Sequence, residues 1–286
     1  MMPPLLRSKL FVPGSRPELF DKALAGAADA LSFDLEDAVA HAAKADARAR
    51  VSAVVRSAAA RDAKKLVIVR VNGVTTPHFA ADLAAVAAPG VDLINLPKCE
   101  SANEVIAAAH ALEQLDPAAT IRLLVNIETP RALRQAPQIA AAHPRVAGLQ
   151  LGLGDLFEPF GIDRRDHANV HAAMFALRMA AAEAGVFCCD SAFAAIDDEA
   201  GFRAEAQLAR RLGFVGKTCV HPRQVPWANA VFHLEDEEIA TARRIVDAAR
   251  AAAARGLNAF AVDGRMIDPP YLKRAEAILA ATQGRN

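Results

Sequence analysis

The sequence predicts an α/β fold, a (β/α)₈ TIM barrel followed by a C-terminal helical extension that can act as a lid. Short runs rich in Val, Ile, Leu and Phe alternate with Ala-rich stretches, which is typical of parallel strands buried on both faces. The length of 286 residues is close to that of one such barrel plus an extension. We therefore predict a catalytic barrel over residues 1–230 and a helical extension and lid over 231–286.

The apolar runs place the strand starts near residues 9, 30, 65, 92, 121, 146, 187 and 214. Eight strands fit a closed barrel, although a doubly wound open sheet shows a similar alternation with fewer units. The first helix is predicted to start at Pro17, since proline suits a first helical turn. Ala-rich composition then predicts helices over 40–60, 77–88, 101–114, 131–142, 166–184 and 199–212.

The C-terminal part of the chain has a different character. Residues 235–256 predict a long helix with acidic residues at its start and Gly256 as its C-cap. An Asp-Gly turn at 263–264 and the pair Pro269-Pro270 then separate a short apolar run from a final helix. A helix and hairpin appended to a barrel either cover its open face or pack on a neighbouring subunit.

The charge balance argues against nucleic-acid and membrane-surface binding. Lys+Arg and Asp+Glu both total 33, so the net charge is zero and no broad field attracts either partner. The first ten residues are too short and too broken for a signal peptide, and no apolar run approaches the length of a membrane span. The four cysteines lack C-x-x-C spacing, which predicts reduced core residues in a cytoplasmic protein.

Several well-known site motifs are absent. The first strand is followed by GSRPE, which lacks the second and third glycines of a dinucleotide fingerprint. The run GKTC at 216–219 lacks the upstream glycine of a phosphate-binding loop, and no G-x-S-x-G elbow occurs. His167 and His171 have one-face helical spacing, but their acidic and Arg-rich surroundings predict an exposed helix face and not a zinc site.

Charged and polar residues end most of the predicted strands. Barrel closure brings all strand ends of one polarity to one face, so these side chains can converge there. They are Asp34, Glu36, Asp37, Arg70, Asn72, Lys98, Glu128, Asp155 and His221.

Glu128 and Asp155 end consecutive predicted strands and should be neighbours at the barrel mouth. Two carboxylates without a nearby His or Cys cluster suit a hard cation such as Mg²⁺. The glycines at 152 and 154 would let a ligand approach the backbone. The alternative is that each carboxylate caps the helix that follows it.

The acids of DLED at 34–37 and the guanidinium of Arg70 are the next candidates. Strand alternation points Asp34 and Glu36 to one side, and Leu35 and Asp37 to the other. Arg70 emerges from an apolar strand, so it should face a carboxylate of the protein or of a substrate. An ion pair with Arg70 or a helix cap is the alternative role for these acids.

The motifs RSKLFVPGSRPELFDKAL, ADALSFDLEDAV, RVN, LPK, NIET, LGLGDL, IDDEAGFRAEAQLARRLGFVGKTCVHP and DGRMIDPP occur in this order over nearly the whole chain. Together they resemble the HpcH/HpaI aldolase and citrate lyase β-subunit family, of the acyl-CoA lyase type. The resemblance implies a (β/α)₈ barrel, a divalent cation (Mg²⁺, with Mn²⁺ as a substitute) and a coenzyme A thioester substrate. It also implies a trimer or hexamer whose C-terminal segment lies over a neighbour's active site.

The resemblance assigns roles to residues of the barrel. It implies that Glu128 and Asp155 are the metal ligands and that Glu36 and Asp37 support the metal's water molecules. Arg70 matches the arginine that binds the substrate's oxygen atoms. Substrate binding would therefore involve Arg70, Glu128, Gly154 and Asp155.

Three further assignments lie outside that set. Asp268 matches the acid/base residue of the lyases, delivered from an adjacent subunit. Lys9 and Arg16, near the first strand end, are interpreted as contacts for the phosphates of coenzyme A. One departure is Ala195, at a position where many relatives have a carboxylate, which bears on acyl-CoA specificity. FEPFG after Asp155 is bulkier than expected and would shape the keto-acid pocket.

The implied reaction is cleavage or formation of a 3-hydroxyacyl-CoA such as malyl-CoA or citramalyl-CoA, with acetyl-CoA and a 2-keto acid as the other partners. Four alternatives remain open at this point. They are an aldolase acting on free hydroxy-keto acids, a citrate lyase β subunit acting on an acyl-carrier-protein thioester, a malyl-CoA thioesterase, and a non-catalytic binding module.

Overall fold

The structure, a computed structural model, describes residues 6–254 and 256–283. Eight parallel strands close into a barrel in sequence order, and β8 pairs with β1, as Lys9 opposite Thr218 shows. The predicted barrel is therefore confirmed, and the open sheet is excluded. The strands are β1 Ser8–Pro13, β2 Ala30–Asp34, β3 Leu66–Arg70, β4 Leu93–Leu96, β5 Arg122–Ile127, β6 Val146–Leu151, β7 Phe187–Asp190 and β8 Gly216–Cys219.

Helices connect the strands and surround the barrel. They are α1 Phe20–Ala25, α2 Lys44–Val55, α3 Ala58–Asp62, α4 Phe79–Val86, α5 Ala102–Leu115, α6 Pro130–Arg134, α7 Ala136–Ala140, α8 Leu153–Phe157, α9 His167–Ala184, α10 Glu199–Arg211 and α11 Val225–Val231. Two predicted helices are each divided in two. The stretch 40–60 breaks where Ser57 caps α3 by accepting from the amide of Ala60, and the stretch 131–142 breaks before Pro137, which has no N–H to donate.

The large apolar core lies between the strands and the helices, where outward-facing strand residues such as Leu31, Phe33 and Val69 are fully buried. A smaller apolar cluster fills one end of the barrel interior. Its members are Leu6, Ala30, Ile68, Leu93, Leu124, Phe187 and Cys189. Gly148 is required here, because a Cβ at this position would lie 2.5 Å from the ring of Phe187.

A buried ionic cluster joins β7, β8 and α10. The ammonium of Lys217 lies 2.7 Å from Asp190 Oδ2 and 2.5 Å from Glu205 Oε1. Arg164 pairs with Glu205 from the other side. Because each buried charge in the cluster has an oppositely charged partner, the desolvation cost of burial is offset.

Residues from 233 onward form a second compact unit, distinct by its internal contacts from the unit Leu6–Phe232. It contains α12 Asp236–Ala253, the hairpin strands β9 Phe260–Val262 and β10 Arg265–Ile267, and α13 Pro269–Gln283. The hairpin turn has positive φ at both Asp263 and Gly264, as a two-residue turn of type I′ requires.

Two boundary predictions in this unit are confirmed in position but shifted in detail. The C-cap residue of α12 is Ala254, yet Gly256 closes the helix: its φ is 71°, and the amides of Gly256 and Leu257 donate to the carbonyls of Ala253 and Ala252. Pro269 and Pro270 lie between the hairpin and the final helix, as predicted, but they form the first turn of α13, because that turn needs no N–H donors.

The four cysteines are free and buried, as predicted. His167 and His171 lie on an exposed face of α9, also as predicted. In the part of the chain that the structure describes, no helix combines the length and the apolar composition needed to span a membrane.

Candidate active site

The carboxyl ends of β2 and β3 bring Asp34 and Arg70 side by side, because these two residues are partners in the strand register. Arg70 donates from Nε to Asp34 Oδ1 and from Nη2 to Asp34 Oδ2, both at 2.7 Å. Its Nη1 lies 2.9 Å from Glu36 Oε2. Burial alone would lower the pKa of Arg70, but the hydrogen bonds and charge of Asp34 outweigh burial and raise it, so the guanidinium is a permanent cation.

Lys98 connects the acids of this cluster. Its ammonium lies 2.6 Å from Glu36 Oε1 and 2.9 Å from Asp37 Oδ1. Its backbone has φ of 52°, the left-handed region that is unfavourable for a residue with a Cβ. In this conformation the amide of Lys98 donates to Glu128 Oε1 at 2.7 Å, so one residue contacts both groups of acids.

Glu36 keeps one oxygen without a hydrogen bond. Its Oε2 is buried beside Arg70, yet no donor is aligned with it. Burial raises the pKa of Glu36, and the charge of Arg70 opposes that rise. A buried carboxylate oxygen that lacks a hydrogen bond is an expected place for a water or a ligand hydroxyl.

Asp37 lies on the same side as Glu36, and the prediction that it points away was wrong. The strand alternation ends with β2 at Asp34, after which the chain turns over the mouth. Asp37 is exposed there and shares the ammonium of Lys98 with Glu36. Burial is the largest single effect on Asp37 and raises its pKa, but the hydrogen bond from Lys98 and the charges of Arg70 and Lys98 together lower the pKa below its usual value.

Glu128 follows β5 and is buried, with 3% of its surface exposed. Its Oε1 accepts from the amide of Lys98, and its Oε2 accepts from Asn126 Nδ2 at 3.0 Å. Burial raises the pKa of Glu128 to about 7; the Lys98 amide opposes this rise, and the negative charge of Asp155 adds to it. Glu128 and Asp155 are therefore close enough to repel each other.

Neither carboxylate caps a helix. The N-cap of α6 is Thr129, which accepts from the amide of Ala132, and the N-cap of α8 is Gly152. Asp155 lies exposed in the first turn of α8. The capping alternative is thus wrong for both acids, and their oxygens are left for another partner.

The two glycines beside Asp155 differ in their surroundings. A Cβ at Gly152 would lie 2.4 Å from the Cβ of Glu128, whereas a Cβ at Gly154 would meet nothing within 4 Å. Gly152 is therefore needed for the position of Glu128 itself, while Gly154 leaves open space next to Asp155.

The oxygen atoms in this cluster fit a hard divalent cation. Each oxygen of Glu128 accepts a single hydrogen bond and retains a second lone pair, and Asp155 is exposed beside it. Carboxylate oxygens are the ligands that Mg²⁺ prefers, with water completing its coordination. Glu36 Oε2, buried and without a hydrogen bond, can accept from such a water.

A second group of possible ligands, His110, Glu113 and His143, has its atoms within 4.8 Å of one another. His143 Nδ1 accepts from the amide of Arg145, so a neutral ring must carry its hydrogen on Nε2. That nitrogen lies 3.2 Å from Glu113 Oε1, as expected for a hydrogen bond. Hydrogen bonding therefore accounts for this cluster without a metal.

Two residues expected at the mouth have structural roles. Asn72 donates to the buried carboxylate of Asp82 and to the carbonyl of Leu35, which ties the third strand end to α4. His221 accepts from the amide of Arg223 and caps a short 3₁₀ turn. Neither is hydrogen-bonded to the cluster of Arg70 and Lys98.

The interpretation of Lys9 as a contact for coenzyme A phosphates was wrong. Lys9 has no exposed surface, because its side chain points into the barrel interior, where Nζ donates to Asn95 Oδ1 and Gln150 Oε1. Arg16 is exposed and pairs with Glu18, so it stays a prediction as a phosphate contact.

Asp268 lies in the second unit, immediately before α13. Its carbonyl accepts from the amides of Tyr271 and Leu272, and its side-chain Oδ1 is buried without a hydrogen bond. Its role as an acid or base stays a prediction.

Sequence reasoning placed Asp34 and Lys98 among the converging strand ends and offered an ion pair with Arg70 for the acids of DLED, which Asp34 makes. It gave Lys98 no specific contact and did not name Asn126. Asp34 and Asn126 each lie two residues before a candidate acid, so strand alternation could have placed them on the same inner face. The left-handed turn at Lys98 has no comparable signal, because lysine does not favour positive φ.

Two cavities adjoin the strand ends. One, of about 540 Å³, is lined by Glu36, Asp37 and Lys98 together with residues after β3. The other, of about 430 Å³, lies among the segments that follow β6 and β7 and is lined by Glu158 and Ala195. The two departures noted in the sequence, FEPFG and Ala195, thus meet in one cavity.

Comparison with known proteins agrees with this geometry. A family model described as HpcH/HpaI aldolase/citrate lyase matches residues 7–222. The citrate lyase subunit beta of Haemophilus influenzae is 33% identical over 281 residues, which cover 96% of each chain. The (3S)-malyl-CoA thioesterase of Cereibacter sphaeroides is 36% identical and covers 97% of this chain and 94% of its own.

Two further relatives are informative. The L-malyl-CoA/beta-methylmalyl-CoA lyase of Cereibacter sphaeroides is 34% identical, covering 96% of this chain and 93% of its own. Among solved structures, protein CitE of Mycobacterium tuberculosis in complex with magnesium, acetoacetate and coenzyme A superposes with a TM-score of 0.71. It is 33% identical and covers 96% of this chain and 97% of its own.

Proposed function

Because this chain belongs to the HpcH/HpaI aldolase/citrate lyase family and is a carbon–carbon lyase of that family, we propose that its substrate is a 3-hydroxyacyl-CoA thioester. Malyl-CoA and citramalyl-CoA are the proposed examples, cleaved to acetyl-CoA and a 2-keto acid or formed from them. The observation that best supports this proposal is the cluster at the barrel mouth, where the buried carboxylate of Glu128 interacts with the charges of both Asp155 and Arg70.

Glu128 and Asp155 would hold the Mg²⁺ ion, which Mn²⁺ can replace. When bound, the ion would polarise the oxygens of the substrate and stabilise negative charge on them as the bond breaks. Glu36 and Asp37 lie next to this position, and Glu36 Oε2 is free to accept a hydrogen bond from water or from the substrate hydroxyl. Lys98 keeps both acids turned towards the mouth.

Cleavage breaks the bond between C2 and C3 of the acyl group. The hydroxyl on C3 gives its proton to the Glu36 carboxylate, whose Oε2 has no other hydrogen bond, and becomes the keto group. The electron pair of the broken bond stays on the acetyl fragment as an enolate. Arg70 is held by Asp34 in a fixed place, so its charge is available to the thioester oxygen without reorganisation.

The enolate carbon then needs a proton, and we assign its delivery to Asp268. Its Oδ1, buried and without a hydrogen bond, is compatible with a group that exchanges a proton with a substrate. We further propose that Asp268 completes the site of a neighbouring subunit, so that the active enzyme is a homo-oligomer. A cytoplasmic location is also proposed, since the four buried thiols are free.

A thioesterase is the second candidate, favoured by the 36% identity with the (3S)-malyl-CoA thioesterase of Cereibacter sphaeroides. The similarity to citrate lyase β subunits supports a third, in which the thioester is carried by an acyl carrier protein. The thioesterase differs from the lyases in its products, so a product assay identifies it. The two lyases differ in the carrier of the thioester, so activity towards coenzyme A thioesters or towards an acyl-carrier-protein thioester separates them.

The test is an assay of the purified chain against malyl-CoA, citramalyl-CoA and related thioesters, with and without Mg²⁺. We expect a 2-keto acid and acetyl-CoA in equal amounts, and no product in the presence of a chelator. Glu128→Gln should be folded and inactive. Release of free coenzyme A without acetyl-CoA would support the thioesterase, and full activity of Glu128→Gln in chelator would contradict the metal site.

A further inference from the structure

The barrel interior contains one buried charge that the proposed reaction does not use. Lys9, on β1, is fully buried, and its ammonium donates to Asn95 Oδ1 at 3.3 Å and to Gln150 Oε1. Both acceptors are neutral amides, and the ring of Phe11 lies 4.5 Å from the ammonium. Burying an ammonium without a directly paired anion costs several kcal/mol, so this position calls for a function.

Asn95 and Asn126 carry the hydrogen bonding onward from Lys9. Asn95 Nδ2 donates to Asn126 Oδ1 at 2.7 Å and to the carbonyl of Leu124 at 3.0 Å. Asn126 Nδ2 in turn donates to Glu128 Oε2 at 3.0 Å. Three successive hydrogen bonds therefore join the ammonium on β1 to the carboxylate after β5.

The three hydrogen bonds can be donated in only one direction, from Lys9 towards Glu128. An ammonium can only donate and a carboxylate can only accept, so the two ends fix the orientation of both amides between them. Turning Asn126 over would place its oxygen against the oxygen of Glu128. Hydrogen bonds in such a chain polarise one another, which strengthens the last bond.

We propose that Lys9 is a positioning residue that acts through Asn95 and Asn126 to hold the Glu128 carboxylate in the orientation that binds the divalent cation. The inference rests on the proposed function, in which Glu128 is a metal ligand. The opposite oxygen of Glu128 is held by the amide of Lys98, so rotation of the carboxylate would break both bonds. Burial lowers the pKa of Lys9 to about 8, which leaves the ammonium as the main form at neutral pH.

Gln150 provides the matched control, because it accepts from Lys9 but lies outside the path to Glu128. The experiment measures the affinity of the full-length protein for Mn²⁺ by electron paramagnetic resonance, with Mg²⁺ as competitor. The proteins are wild type, Lys9→Met, Asn95→Leu, Gln150→Met and Glu128→Gln. Thermal unfolding of each metal-free protein is measured alongside.

We expect Lys9→Met and Asn95→Leu to weaken Mn²⁺ binding by roughly 10-fold or more, the usual effect of losing a group that orients a metal ligand. Gln150→Met should bind as wild type does. Asn95→Leu leaves Lys9 bonded to Gln150, so it carries the test if Lys9→Met does not fold.

Wild-type affinity in Lys9→Met and Asn95→Leu would overturn the inference, even if their melting temperatures fall, since the role would then be structural only. Equal weakening in all three interior variants would overturn it too, because the effect would be general packing. If Glu128→Gln binds Mn²⁺ as wild type does, the proposed metal site itself fails, and the inference with it.

Discussion

Arg70 enters the site with its guanidinium already held by the protein's own carboxylates. Two of its nitrogens bond to Asp34 and the third faces Glu36. It therefore resembles a fixed positive charge more than a flexible clamp for substrate. Since the geometry is fixed by a fork of two parallel hydrogen bonds, lysine cannot reproduce it.

Replacing Arg70 by lysine is expected to lower kcat/KM by roughly 10²–10³-fold, comparable with the loss of a charge-stabilising donor. Stability should fall by about 1–3 kcal/mol, because Asp34 loses a buried partner. Arg145→Lys is the control: Arg145 is also buried and paired, with Asp116 at 2.8 Å, but its pair lies before β6 and not after a strand. Steady-state kinetics and thermal unfolding of both variants give the comparison. A near-normal kcat/KM for Arg70→Lys would show that Arg70 is a structural partner only.

Glu128 gives the site a pH dependence near neutrality. Burial raises the pKa of Glu128 to about 7, and the metal binds only the deprotonated carboxylate. Affinity for Mg²⁺ should therefore be constant above this pH and fall below it, approaching tenfold per pH unit. In the metal-free protein, raising the pH has the opposite effect, this time on stability. The folded state keeps a proton on Glu128 that the unfolded chain has already lost, so the free energy of unfolding should decrease as the pH rises from about 4.5 to about 7. Isothermal titration calorimetry with Mg²⁺ and unfolding of the metal-free protein across this range measure both trends; affinity independent of pH would contradict the assignment.

At the scale of elements, the sequence predicted the strands but not the direction of the chain in the turns that follow them. The strand starts were found to within two residues, because runs of Val, Ile, Leu and Phe mark strands buried on both faces. Alternation also placed Asp34 and Glu36 on one side correctly. It failed at Asp37, which lies beyond the end of β2, where chain direction depends on turns and no longer on a period of two. Lys9 was misassigned for a related reason: alternation gives its face but not its distance from the mouth.

The loop between β6 and α8 gives an element-scale prediction. Gly152→Ala would place a Cβ 2.4 Å from the Cβ of Glu128, so Glu128 must move and Mg²⁺ affinity should fall at least about 10-fold. Overpacking should also cost about 1–3 kcal/mol of stability. Gly154→Ala, two residues away, meets nothing within 4 Å and should bind Mg²⁺ as wild type does. Calorimetric titration of both variants with Mg²⁺ is the measurement. Equal Mg²⁺ affinities of Gly152→Ala and Gly154→Ala would mean that close packing against Gly152 does not position Glu128.

The whole molecule has two compact units, and the proposed chemistry draws on both. The barrel supplies Arg70, Glu128 and Asp155, while Asp268 belongs to the unit that begins after Phe232. The segment that carries Asp268 is fixed locally, by a tight hairpin turn before it and by two prolines after it. Such a segment can present a side chain at a set position with little loss of backbone entropy.

Asp268→Asn should lower turnover by roughly 10²–10⁴-fold, the usual range for loss of a general acid or base, and leave Mg²⁺ affinity unchanged. If Asp268 serves a neighbouring subunit, mixing inactive Asp268→Asn with inactive Glu128→Gln should restore part of the activity. Subunits of the two variants, carrying different tags, are dissociated, mixed and assayed. The control is each variant mixed with itself. Mixed oligomers that form without any return of activity would place Asp268 in its own chain's site, or outside catalysis.

The left-handed backbone conformation of Lys98 at the barrel mouth implies a trade-off between stability and activity. A residue with a Cβ in this region costs about 1–2 kcal/mol, which the half-exposed ammonium of Lys98 offsets only in part through its ion pairs. Lys64, an exposed lysine with the same φ of 52°, offers a comparison outside the site. Glycine at either position should leave the melting temperature equal or slightly higher, but only Lys98→Gly should lose activity, measured with the preferred thioester. Selection for thermal stability alone would therefore remove Lys98, and its retention would mark a position where catalysis has been favoured over stability.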